Sequence, residues 1–95
     1  MKTTVVNIRK EEHDVYIGRG SLFGNPFKIS RHQDRIDVIE KYKEWFHNQI
    51  RIDIHFKISV LLLRNKKLGC YCKPKPCHGD VIVEYLNAWE RGLME

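Results

Sequence analysis

No acidic residue occurs between Ile54 and Gly79, although that stretch holds Lys57, Arg64, Lys66, Lys67, Lys73 and Lys75. The formal charge of +5 is therefore concentrated, because the rest of the chain sets eleven Lys and Arg against twelve Asp and Glu. Such a local excess draws anions to one part of a protein. Other scarcities exclude whole classes. No apolar run approaches the ~20 residues of a membrane span. The N-terminal MKTTVVNIRK has no apolar core ahead of a small-residue cleavage site, so a cytoplasmic protein with no membrane partner is expected. Cysteine is limited to three residues, two of them separated by a single position, and a disulfide framework does not account for that pattern. Internal repeats and low-complexity tracts are absent.

What is present suits one folded domain spanning residues 1–95, with 42% hydrophobic and 31% charged residues. Thr3 to Ile8 is β-branched and reads as a strand, and Asp14 to Ile17 as a second. The polar RKEEH between them could close a hairpin but has no Asn-Gly or Asp-Gly signal, which leaves strand order open. Ser30 with Gln33 has the form of a capping box, and Asp34 is an alternative helix start. Val38, Ile39, Tyr42, Trp45 and Phe46 then recur at the spacing of a core-facing helix. Asp53 is placed to cap another helix, with Ile54, Ile58, Leu61 and Leu62 as its buried face. Asn65-Lys66-Lys67 stops it, and Leu68 to Cys72 follows as a central strand. From about His78 to Arg91, the residues Val81, Ile82, Tyr85, Leu86 and Trp89 share one side of a last helix ending near Gly92. The expectation is a small single-domain α/β protein, a Rossmann-like fold of two or three layers with a short sheet of about three strands and about three helices. Oligomeric state stays open, although Trp89, Leu93 and Met94 could form a modest self-association patch.

Two loops carry the chemistry. Residues 18 to 27, GRGSLFGNPF, hold three glycines, Arg19 and Pro26. Such a loop can cradle an oxyanion on its backbone amides, or can be a surface turn in which Phe23 and Phe27 plug into the core. Residues 68 to 80, LGCYCKPKPCHGD, contain all three cysteines and two of the three prolines. A strand-to-helix junction there would stand at the sheet edge where ligands collect. Cys77 near a helix N-terminus, with Lys73 and Lys75 close in sequence, is expected to be the thiolate.

Three functional readings follow. The first is a site for a phosphate-bearing, nucleotide-derived small molecule. Gly18, Arg19, Gly20, Gly24, Asn25 and Cys72 would bind it, and Cys77, His78 and Asp80 would supply covalent or acid/base chemistry if the domain is an enzyme. The second is a module that sequesters the same ligand without turning it over. In the third, Cys70, Cys72, Cys77 and His78 hold zinc in a nucleic-acid or protein adaptor, with the basic segment 57–75 as the electrostatic footprint. Residues two apart on an extended strand have side chains ~6.5 to 7 Å apart, so zinc would require a bend at Tyr71. Without a bend, Cys70 is a small buried hydrophobe.

YIGRG (16 to 20), GNPF (24 to 27), the Tyr-x-x-Trp spacing of Tyr42 and Trp45, and LGCYCKPKPCHGD together resemble a family of small phage and bacterial proteins known as a domain of unknown function. The resemblance extends from about Tyr16 to the last helix. It implies a phage or prophage origin, hence the host cytoplasm, and a two-loop site, but no particular reaction.

Overall fold

Lys67–Cys70 forms the strand at the centre of the sheet, β3, flanked by β1 (Thr4–Asn7) on one edge and β2 (Val15–Tyr16) on the other. Both edge strands run parallel to it, with Val5 and Val15 opposite Leu68 and with Val6 and Tyr16 opposite Gly69. Residues 2–27 and 35–93 are described in this computed structural model. The helices are α1 (Arg35–Ile52), α2 (Ile54–Leu61) and α3 (Gly79–Glu90). The result is a small α/β domain with an open three-stranded parallel sheet. The capping box at Ser30 and Gln33 and the alternative start at Asp34 lie outside the described residues.

A hairpin between β1 and β2 is excluded, because β3 lies between them. The short link from Ile8 to Asp14 crosses β3 instead. Ile8 N–H donates to Cys70 O and Asp14 N–H to Lys67 O, both across the central strand. Gly69 permits this crossing. A Cβ there would collide with the Ile8 side chain and come within 2.7 Å of the His13 ring, so only glycine lets the link lie so close.

Helix α1 buries Val38, Tyr42 and Phe46, as its periodicity requires, with Ile39 and Trp45 packed partly against the same core. Asp53 caps α2 by accepting from His55 N–H at 3.0 Å and Phe56 N–H at 3.2 Å. The expected buried face of α2 is corrected. Phe56, Val60 and Leu63 turn inward and Leu61 packs partly against the core, whereas Ile54, Ile58 and Leu62 are exposed. Aromatic packing explains the choice, since Phe56 meets Phe23, Trp45 and Phe46 at ring separations of 5.6 to 6.2 Å. Asn65, at φ 64°, ends the segment in the left-handed conformation.

Helix α3 buries Val81, Ile82, Tyr85 and Leu86 and ends before Gly92 at φ 75°. It packs on β1, while α1 lies against both α2 and α3. The end of β3 and the start of α3 are thereby brought beside the glycine-rich loop. Among the described residues, no helix is long and apolar enough to cross a membrane.

Candidate functional site

The glycine-rich loop is wound on its own backbone. Gly18 O accepts from Ser21 N–H at 3.1 Å and from Ser21 Oγ at 2.7 Å, and Ser21 O accepts from Gly24 N–H at 3.1 Å. A Cβ on Gly24 would stand 2.6 Å from Gly18 O, a backbone contact that no rotamer relieves. Asn25 Oδ1 accepts from Phe27 N–H at 2.8 Å and turns the chain at Pro26. Phe23 plugs into the core, where the buried Tyr42 hydroxyl donates to its carbonyl at 2.8 Å. Burial and the neighbouring Cys77 push the Tyr42 pKa well up, so that hydroxyl keeps its proton.

Strand β3 ends at Cys70 and the chain bends at Tyr71. That bend brings the Cys70, Cys72 and Cys77 sulfurs within 4.8 Å of one another, which removes the geometric objection to Cys70. Asn7 Nδ2 holds the returning chain by donating to Lys73 O at 2.7 Å. Asp80 pairs with Lys73 through one oxygen and accepts Cys77 N–H at 3.1 Å through the other.

Cys70 and Cys77 are buried, with their sulfurs 3.0 Å apart. Cys77 donates its proton to Cys70 and is itself desolvated, so its pKa is raised. The same bond lowers that of Cys70 against the opposing effect of burial. The shared proton and burial thus oppose the thiolate that position beside a helix N-terminus favours at Cys77. Gly79 N–H does donate to Cys77 Sγ at 3.4 Å. His78 Nε2 lies 2.7 Å from Ile17 O. A carbonyl only accepts, so Nε2 carries the proton and the Nδ1 lone pair faces Cys77 Sγ, 3.6 Å away. Burial lowers the His78 pKa, opposed by the Ile17 bond and the negative charges of Cys70 and Asp80.

A cavity of about 290 Å³ opens between the two loops. Of the residues singled out in the sequence, Gly18, Arg19, Asn25, Cys70, Cys72, Cys77 and His78 line it, whereas Gly20, Gly24 and Asp80 do not. Gly20 and Gly24 shape the loop, and Asp80 is spent on Lys73 and Cys77. Sequence reasoning missed Tyr16, Phe27 and Tyr71, which supply aromatic walls, and Arg35, Val38 and Ile39 from the first turns of α1. Tyr16 and Tyr71 lie within the recognised motifs and could have been found there. Arg35 carries no local signal. Two arginines and no Asp or Glu stand among the described lining residues.

Outside the cavity, two residues of the basic segment are engaged within the chain: Lys73 is paired with Asp80, and Arg64 stacks over the Trp89 ring at 4.7 Å.

No solved structure matches the chain. Among curated proteins it is similar to the "Uncharacterized 12.4 kDa protein in nrdA-td intergenic region" of Enterobacteria phage T4, at 41% identity over 83 residues, covering 87% of this chain and 76% of the relative. Residues 2–88, which include both loops and most of α3, match the domain of unknown function DUF4326. The chain belongs to the DUF4326 family.

Proposed function

We propose that the cavity between the two loops binds a phosphate-bearing, nucleotide-derived small molecule. One observation carries the reading: the described walls combine Arg19 and Arg35 with aromatic rings and no carboxylate. Arginine recognises phosphate oxygens through a planar fork of donors. Tyr16 and Tyr71 stand edge to face at 6.3 Å, and Arg9 lies over the Tyr71 ring at 5.0 Å, so these rings are supported for packing against a base. With its oxygen engaged by Phe27 N–H, the Asn25 side chain has its amide N–H groups left to orient the ligand.

Calorimetric titration with purine and pyrimidine nucleotides, their parent nucleosides and inorganic phosphate tests this. Nucleotides are expected to bind more tightly than nucleosides. Arg19→Ala is expected to weaken them by ~10–100-fold, the size of a lost charge-assisted bond. Equal binding of nucleosides, or no binding of any nucleotide, overturns the proposal. Chromatography of the bound nucleotide after prolonged incubation separates catalysis from sequestration: conversion that disappears in Cys77→Ala supports an enzyme, and quantitative recovery supports a sequestering module.

A further inference from the structure

The three sulfurs form a cluster, with the His78 imidazole beside Cys77, that the arginines and aromatic rings of the nucleotide reading do not involve. Cys70 and Cys77 are each 1% exposed, and Cys72 is half-buried at the cavity wall. Three soft donors within 4.8 Å of one another are compatible with a single tetrahedral ion. At zinc–sulfur distances near ~2.3 Å, thiolates on one zinc stand roughly 3.7 Å apart. A thiolate and an imidazole nitrogen sharing zinc stand about 3.6 Å apart on the same geometry, which is the separation between Cys77 Sγ and His78 Nδ1.

The second observation concerns the far side of the imidazole. Ligating histidines nearly always donate their other ring N–H to a carboxylate or a backbone carbonyl, which fixes the tautomer and aims the ring. His78 does this, with Nε2–H directed to Ile17 O at 2.7 Å. The supports of the sulfurs are equally local: Gly79 N–H donates to Cys77 Sγ, and the bonds from Asn7 and Asp80 hold the intervening loop. Three thiolates with one imidazole select zinc over the hard, oxygen-seeking cations.

We propose that Cys70, Cys72, Cys77 and His78 Nδ1 bind one zinc ion at the junction of β3 and α3. The ion stands at the wall of the cavity, ties the end of the central strand to the start of the last helix, and replaces the shared thiol proton as the charge balance of the buried sulfurs. It is independent of the nucleotide reading, since zinc binding needs neither Arg19 nor Arg35.

The test is metal analysis of protein purified without chelator, followed by cobalt substitution of the full chain. About one zinc per chain is expected for a closed four-ligand site, with cobalt giving thiolate charge-transfer absorption and the intense visible bands of a tetrahedral centre. Cys72→Ser, at a half-buried position, is expected to keep the fold by circular dichroism. It should lose more affinity for zinc than the ~10–100-fold produced by loss of an outer-shell partner. His78→Ala is expected to shift the visible cobalt bands while retaining the charge-transfer absorption. Substoichiometric metal with three titratable thiols, or a Cys70–Cys77 disulfide in freshly alkylated protein, overturns the site. Unchanged cobalt bands in folded His78→Ala remove the histidine from it.

Discussion

His78 Nε2 lies 2.7 Å from the carbonyl oxygen of Ile17, across 61 positions of sequence. This bond fastens the start of α3 to the start of the glycine-rich loop and so fixes one wall of the cavity against the other. Both residues are buried, so removing the donor leaves the carbonyl shielded from solvent. His78→Leu keeps much of the volume but strands the Ile17 carbonyl, a loss of about 1–3 kcal/mol. Urea unfolding at neutral pH, with both proteins held in chelator so that metal does not contribute, measures it. An unchanged midpoint would show that the bond is not a structural tie.

The two glycines within the loop have different jobs and should respond differently. At Gly24 a methyl group would meet Gly18 O at 2.6 Å, so the backbone must open; at Gly20, with φ +88°, nothing lies within 4 Å of the added Cβ. Gly24→Ala is expected to cost about 1–3 kcal/mol through overpacking and to weaken nucleotide binding, because Arg19 and Asn25 are displaced together. Gly20→Ala is expected to cost about 1–2 kcal/mol from its left-handed backbone while leaving binding nearly intact. Thermal unfolding and calorimetry on both variants make the comparison; equal loss of affinity in the two contradicts it.

Where the sequence was informative, the signal was local. Asp53 before an apolar run specified a cap, α1 showed its buried stripe at helical spacing, and the β-branched and apolar residues of β1 and β3 marked the strands. The two loops were legible because glycine, proline and cysteine punctuate them. The crossing of Ile8 to His13 over Gly69 was not, since nothing in RKEEH records which strand will lie beneath it. Nor could the chain reveal that Cys77 would meet Cys70 sulfur to sulfur, because their contact depends on the bend at Tyr71. Arg35 enters the cavity only through the direction that α1 takes.

The orientation of α2 offers a direct check on the corrected face. Its sequence, IHFKISVL, is apolar on more than one side, so periodicity alone offers two stripes, and contact with the α1 aromatics selects between them. Phe56, at 4% exposure, is expected to cost about 3–5 kcal/mol as Phe56→Ala. Ile58 is 49% exposed, and Ile58→Ala is expected to cost less than about 1 kcal/mol. Denaturant midpoints at matched m-values decide the matter, and comparable losses would mean that the helix is rotated from the position described.

His47 gives a pH dependence with a definite sign. Its ring lies on α1 against Phe46 and Tyr85, at centroid separations of 5.6 and 6.1 Å. Partial burial lowers its pKa first, the nearby Lys43 lowers it further, and Glu84 opposes both. Lys43 and Glu84 are themselves paired at 3.6 Å. The folded protein therefore takes up the His47 proton less readily than the unfolded chain, whose histidines titrate near ~6.5. More protons are bound on unfolding below that value, so the contribution is fully present above about pH 6.5 and is lost as pH falls through the lowered native pKa. His47→Gln is expected to flatten part of the stability loss between roughly pH 7.5 and pH 5.5. Some slope should remain, because buried His78 is depressed in the same direction. Glu84→Gln removes the opposing charge and is expected to move the His47 titration, followed by proton NMR of the ring, still lower. A midpoint above the unfolded value in the parent protein, or an upward movement in Glu84→Gln, would contradict the balance of burial and charge described for this ring.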